Sequence, residues 1–389
     1  MGKNFNNKNN DFNVETFAKD IYFIACRTPI AAERELRLTI IANSNAGGFT
    51  IKKRGVKHSE ELKRTIEIAA AMPQRRCVPS ETAKRFGGEL GAFGLVKTSA
   101  PGTSRLFETA ASAENITAEL LKEAAAHREA ADKPFFLVIS AGGDGTTLEI
   151  FSNFYKEPET HKNDFVFLRL PMGTGNDGAD AQTLETALSF LLKPRKIQFT
   201  SAITLKTSNP NKGPFFAFNI LSVGLDAFVT HSTNKMKNLL PGDSYKLWVD
   251  IAALFYNKIY NVGLMEVRAY DKAGSSVQKF RDRALLLAVG AGGRRTYGAG
   301  NNILPDERNV CMIREMPLLR KLSLKGKVAR GTHTESPETL SFSANSIRFI
   351  AENPILAQMD GETVLLEPND FPAVIELSEP VIPVLSRGQ

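Results

Sequence analysis

Residues 135–149 read Phe-Phe-Leu-Val-Ile-Ser-Ala-Gly-Gly-Asp-Gly-Thr-Thr-Leu-Glu, and the fold turns on this run. Phe135 to Ser140 is a short unbroken apolar stretch, the pattern of a strand buried on both faces. Ala141 to Gly145 interrupts it, and Thr147 to Tyr155 has the texture of a helix. Strand, glycine loop and helix make the unit of a parallel α/β sheet, in which ligands sit beyond the carboxyl ends of the strands. Glycines let the backbone approach a phosphate closely with several N–H groups aimed at its oxygens. The helix start just beyond adds partial positive charge. Asp144 does not suit a bare phosphate, because like charges repel. It suits a group that holds a cation, orients a lysine or water, or takes a proton.

The same unit recurs on either side. Leu38 to Ala42 is a short apolar run ending in Asn43-Ser44-Asn45-Ala46-Gly47-Gly48. Leu95-Val96 reads as a second short strand, just before Thr98. Phe165 to Leu170 is a further strand, ending in Pro171-Met172-Gly173-Thr174-Gly175-Asn176-Asp177. Gly173 and Gly175 free the backbone there, Thr174 offers a hydroxyl, and Asn176 and Asp177 can bind a ribose, a metal-bound water or each other. All three glycine loops follow expected strands, so all three are expected to face one crevice. Ser59 is expected to cap a helix over Glu60 to Met72. Further helices are expected over Thr117–Ala131 and Gln182–Leu192. Lys52, Lys53, Arg54 and Lys57 follow the first loop, where they either screen phosphate charge or decorate an exposed turn.

Past Pro194 strand-like runs dominate: Gln198 to Lys206, Phe215 to Val223, Val262 to Tyr270, Ala284 to Val289, Val310 to Met316 and Leu340 to Phe349. Ser244 to Tyr256 and Leu318 to Val328 are the helical interruptions. The expected division is an N-terminal extension over 1–36, an α/β domain over 37–196, and a β-rich, mostly antiparallel domain over 197–389.

Composition narrows the function classes. The chain has 389 residues, a formal charge of +7, three cysteines and five histidines. Cys26, Cys77 and Cys311 are far apart, so no zinc spacing exists. Their sparse, odd number fits a reducing compartment. No run reaches the ~20 apolar residues needed to span a bilayer. Met1 to Asn13 lacks the apolar core of a signal peptide and reads as a frayed tail. Between Arg294 and Arg330 the sequence has nine Lys/Arg against three Asp/Glu. Such a stretch either attracts nucleotides, nucleic acid or an anionic membrane, or is a solvated face.

With its loops in hand, the sequence resembles the diacylglycerol kinase catalytic-domain family, which includes bacterial soluble lipid kinases and sphingosine kinases. The family's GGDGTxxE is matched through Glu149, and LPxGTGND is matched from Leu170 to Asp177. The family's Asn-Pro-x-Ser-Gly loop is echoed by Asn43 to Gly47, with Ser44 in place of proline. Thr98 matches the family threonine, and Phe218-Asn219 with Gly224-Leu225-Asp226-Ala227 matches FxN–x–GxDA. Asp360-Gly361-Glu362 matches DGE.

The resemblance implies an ATP-dependent kinase acting on diacylglycerol or a related lipid. It implies an α/β domain akin to those of 6-phosphofructokinases and NAD kinases, a β-sandwich-like second domain whose last strands return to the first, and ATP in the crevice between them. The cofactors would be ATP and Mg2+. The implied nucleotide contacts are Asn43, Ser44, Asn45, Ala46 and Gly47; Thr98; Gly142, Gly143, Asp144, Gly145, Thr146, Thr147, Leu148 and Glu149; and Gly173, Thr174, Gly175 and Asn176. Asp144 and Asp177 would face the metal. Glu362 would be the general base, with Asp144 its rival, as sphingosine kinases are usually drawn. The implied partners are a lipid substrate and an anionic membrane surface, met through 294–330 with Leu318, Leu319 and Leu322. A homodimer is left open. The implied place is the cytoplasm, at the inner face of the membrane. No motif supports nucleic-acid binding.

Two features depart from the family pattern. Pro305-Asp306-Glu307-Arg308 stands where bacterial members carry Asp-Asp-Gly for a structural magnesium, and Phe199 to Ala202 lacks an acid. They keep open a catalytically weak nucleotide-binding, membrane-associated protein. An NAD kinase-like enzyme is the other alternative, against which Glu149 and the intact GTGND weigh.

Overall fold

The computed structural model describes residues 12–98, 112–130, 132–156, 164–173, 176, 178–179, 181–194, 196–236, 256, 262–297 and 301–386. The chain divides into two compact units, one reaching to Phe199 and taking in residues from Ile382 onward, the other Thr200–Val381.

The first unit is built on β1 (Leu36–Asn43), β2 (Cys77–Pro79), β3 (Leu95–Thr98), β4 (Phe135–Ala141), β5 (Phe165–Arg169), β6 (Lys196–Thr200) and the late strand Ile382–Ser386. The sheet runs β2, β1, β4, β5, Ile382–Ser386, β6, with β3 also paired to β1. β1 pairs in parallel with β2, β3 and β4, β4 with β5, and β5 with the late strand through Phe167 and Val384. Every residue of β4 and β5 is buried, as parallel strands covered on both faces require.

Several boundaries differ from expectation. Residues 1–36 are not simply an extension: Val14–Ala25 is a helix, capped by the Asn13 side chain accepting from Thr16 N at 2.9 Å. Its Phe17, Ala18, Ile21, Ile24 and Ala25 recur at helical spacing. All are buried in one core with Leu38, Leu137 and Leu191, so this segment helps build the domain. Ser59 is no cap either. It lies inside the helix Lys52–Ala70, whose buried stripe already begins at Gly55 and continues through His58, Leu62, Thr65 and Ala69. The helix expected from Thr117 runs Ala113–Ala126 with Ser112 as its cap, and the expected start at Gln182 falls at Leu184, capped by Thr183. The short strand β2 gave no apolar signal of its own.

The second unit carries β7 (Ile203–Lys206), β8 (Phe215–Ala217), β9 (Ile220–Gly224), β10 (Leu264–Tyr270), β11 (Ser276–Gly290), β12 (Arg295–Tyr297), β13 (Asn301–Leu304), β14 (Val310–Arg314), β15 (Thr339–Phe342), β16 (Ser346–Ala351), β17 (Ile355–Met359), β18 (Glu362–Leu366) and β19 (Ala373–Leu377). All the described pairings within it are antiparallel. The long β11 joins two layers. Its first half pairs with β10, and its second half lies between β9 and β14. Ile203, Leu205, Val267 and Phe349 from one layer share a core with Val223, Leu287, Val289, Met312 and Ala357 from the other, which is sandwich packing.

The helix Leu318–Arg330 forms where expected. The helix expected over 244–256 lies outside the described residues apart from Tyr256. Among the described residues no helix is long and apolar enough to cross a membrane.

Candidate active site

Register brings the loops together. Asn43, the last residue of β1, pairs with Thr98, the last of β3, and Ala42 pairs with Ala141 at the end of β4. Ser140 pairs with Arg169 at the end of β5. Four adjacent strands therefore end at one carboxyl edge, where a parallel sheet opens its crevice. The expectation that the glycine loops face one place holds within this unit.

Each loop is tied to its neighbours. Asn43 Oδ1 accepts from Asn45 N at 3.0 Å, and Ala46 N donates to Asn43 O at 2.9 Å, which fixes the first turn. Gly48 N donates to Met172 O at 2.7 Å, joining the first loop to the third. Arg54 Nη1 donates to Gly173 O at 2.6 Å, so of the four basic residues after the first loop it is Arg54 that reaches the glycines; Lys52 and Lys53 are exposed. Ser44 is half-buried, Asn45 exposed, and Ala46 and Gly47 buried.

The central loop is shaped by space. A Cβ on Gly142 would lie 2.4 Å from Thr146 Oγ1, so only glycine fits against the buried threonine. A Cβ on Gly143 would lie 3.7 Å from Gly173 Cα, which shows how closely the second and third loops approach. The helix begins at Asp144 rather than Thr147 and runs to Lys156, which sets Gly145, Thr146, Thr147, Leu148 and Glu149 in its first turns. Asp144 Oδ1 accepts from Gly178 N at 3.1 Å, and Ser140 Oγ lies 3.0 Å from Thr147 Oγ1. Asn176 is half-buried, and its carbonyl accepts from Ala179 N at 3.2 Å. Thr174, Gly175 and Asp177 lie outside the described residues.

Glu362 belongs to the second unit. It is the exposed first residue of β18, after a turn in which Asp360 has φ +46 and Gly361 φ +99. The Asp360 carboxylate accepts from Phe218 N, from Asn219 N at 3.1 Å and from Ile220 N at 2.9 Å. The two family motifs FxN and DGE are thus one hydrogen-bonded structure. Sequence reading quoted both and missed the connection, because 140 residues separate Ile220 from Asp360. Asp226 is buried and binds Ser222 Oγ and, at 3.2 Å, Gln358 Nε2.

Among the described residues no three His, Cys, Asp or Glu side chains gather as a metal cage. At Pro305–Arg308 the guanidinium of Arg308 forks onto Asp306 and holds its carboxyl below the usual range.

The sequence model of the diacylglycerol kinase catalytic domain matches residues 96–200. A "Probable lipid kinase YegS-like" of Xanthomonas axonopodis pv. citri is 23% identical over 239 residues, covering 58% of this chain and 72% of that protein. Its namesake in Pectobacterium atrosepticum is 25% identical over 232 residues, covering 58% and 71%. The solved structure of a diacylglycerol kinase from Bacillus anthracis str. Sterne aligns with a TM-score of 0.51 at 16% identity, covering 90% of this chain and 97% of that one. That likeness speaks for the fold. With its motifs in family order and its matched segment spanning two of the glycine loops, the chain is similar to the diacylglycerol kinase catalytic domain over residues 96–200 and to bacterial lipid kinases over 58% of its length.

Proposed function

We propose that this protein transfers the γ-phosphoryl group of ATP to the hydroxyl of diacylglycerol or a related lipid. The observation that carries the reading is the shared carboxyl edge of β1, β3, β4 and β5, where a Cβ on Gly143 would touch the backbone of Gly173. Phosphoryl transfer asks a protein mainly for positioning and charge neutralisation, and a cradle of backbone amides with a helix start supplies both. Asp144 would hold the Mg2+ that accompanies ATP, since that ion needs only one or two protein carboxylates beside phosphate oxygens and water, and the metal would supply charge neutralisation at the transferring phosphate. Arg54, through the Gly173 carbonyl, holds the third loop against the first.

Glu362 is the residue we assign to take the lipid hydroxyl proton. It is exposed at the start of a strand, and Asp360 anchors its turn. A positioned carboxylate base contributes roughly 10²–10⁴-fold. The protein's action at a membrane, and its place at the inner leaflet, belong to the same proposal.

The test is transfer of label from ATP to diacylglycerol, sphingosine and a total lipid extract. Glu362→Gln is expected to lower turnover at least about 100-fold while leaving ATP binding intact. Unchanged turnover would take Glu362 out of the base role and leave Asp144. Label arriving on NAD instead would replace the lipid reading.

A further inference from the structure

The basic stretch 294–330, the obvious candidate for meeting an anionic surface, has part of its charge paired from within the second unit. Arg294 pairs with Glu307, Arg308 with Asp306, Arg320 with Glu338, and the buried Lys321 with Glu315 at 2.9 Å. Lys327 donates to Ser336 Oγ at 3.0 Å.

A different cationic surface is assembled by strand register. On β10, alternate residues Val267 and Ala269 face the core, so Leu264, Glu266 and Arg268 face outward. Arg268 lies directly opposite Lys279 of β11 on one side and Arg348 of β16 on the other. Three cations thus stand abreast across three adjacent strands. Arg281 and Arg283 continue the row along β11, opposite Glu266 and Leu264. Lys279, Arg281, Arg283, Arg268 and Arg348 are all exposed. The carboxylates on this face are Glu266, held by Arg268 at 2.7 Å, and Glu352 at its end, which accepts from Leu264 N at 3.0 Å. Leu264 and Ile350, 43% and 42% exposed, stand among the cations.

Like charges directly opposite across strands destabilise a sheet. A face that keeps three of them abreast, with apolar side chains open to solvent beside them, is complementary to something flat, extended, anionic and partly apolar. We propose that the outward face of β10, β11 and β16 docks on an anionic lipid bilayer. The cations meet the headgroups, and Leu264 and Ile350 enter the acyl boundary. The choice of a bilayer over other polyanions rests on the lipid-kinase reading above; the cationic face does not.

The experiment is co-sedimentation with phosphatidylcholine vesicles, with and without phosphatidylserine, in the absence of ATP and of diacylglycerol. The protein is expected to bind the phosphatidylserine vesicles selectively, and less at high salt. Lys279→Gln/Arg281→Gln/Arg348→Gln is expected to lose on the order of 100-fold in partitioning. Its thermal midpoint should stay at or above that of the parent, since a like-charge row is relieved, and its turnover on detergent-dispersed diacylglycerol should be unchanged. Lys63→Gln/Lys133→Gln/Lys193→Gln, with the same charge loss in the first unit, should bind as the parent does. Equal partitioning of the two triple variants, or equal binding to neutral vesicles, overturns the proposal. So does tight binding of duplex DNA with no vesicle binding, which would make the face a nucleic-acid surface. Absence of kinase activity with vesicle binding intact would break the functional reading and leave this docking face standing.

Discussion

Both units place a glycine close to the aspartate of their key turn, and the two glycines work by different physics. In the first unit, the glycine preceding Asp144 by two residues is required by space: nothing larger than hydrogen fits between Gly142 and Thr146. In the second, Gly361 has open space around it but sits at φ +99, and Asp360 before it at φ +46. The first turn is crowded so that loops approach each other. The second is bent so that one carboxylate can gather three backbone N–H groups. Identical letters in a motif therefore do not predict identical responses to mutation.

The largest effect expected from this contrast is at Asp360. Asp360→Ala leaves the N–H groups of Phe218, Asn219 and Ile220 without their acceptor, at about 1–3 kcal/mol for each buried group left unsatisfied. Denaturant titration should show a loss of about 3 kcal/mol, with ATP binding by the first unit preserved. A loss below about 0.5 kcal/mol would mean that the turn is not anchored as described. Next in size is Gly142→Ala, which overpacks the loop and should cost about 1–3 kcal/mol. Calorimetry should find ATP affinity lost along with that stability, whereas Gly361→Ala should spare ATP affinity. Gly361→Ala should cost about 1 kcal/mol, from backbone strain alone. If the two alanine variants lose ATP affinity equally, the distinction between space and backbone angle fails.

The smallest effect concerns pH. Burial pushes His58 in the first unit and His333 in the second below the ordinary histidine value of 6.5. His333 lies against the Ile303 carbonyl at 3.0 Å, fully buried. Folded, both take up a proton less readily than they do unfolded, where protonation begins below about 6.5. The unfolded chain binds more protons there, so the stabilisation is complete above that value and is lost as pH falls through it toward the lower folded value. Urea midpoints should drop between pH 7.5 and 5.5, and His333→Asn should flatten the part of that drop belonging to the second unit. An unchanged slope would remove His333 from the account.

What could be read from the sequence was what lies contiguous in it. FFLVISAGGDGTTLE and LPMGTGND carry strand, loop and helix start in single runs, and parallel strand order then gathers them without further information. Phe17, Ile21 and Ile24 had the helical spacing that marks a core face, but the Asn-rich residues before them made the whole segment resemble a tail. Ser59 satisfied a cap rule locally, yet tertiary packing along Gly55, His58 and Leu62 carried the helix through it. Charge was legible only in part for the same reason. Arg294 to Arg330 is basic as a string and partly ion-paired as a structure, while Arg268, Lys279 and Arg348 meet only through register. Asp360 reaching Phe218 is equally invisible to spacing.

The strand Ile382–Ser386 lies between β5 and β6. As the chain emerges from a ribosome, β6 therefore has no neighbour to bond to until all of Thr200–Val381 has been made. The glycine loops can gather early, on β1 to β5, but the far flank of their sheet stays an open edge through the synthesis of the entire second unit. During that interval it is an unpaired strand edge of the kind that invites association with other chains.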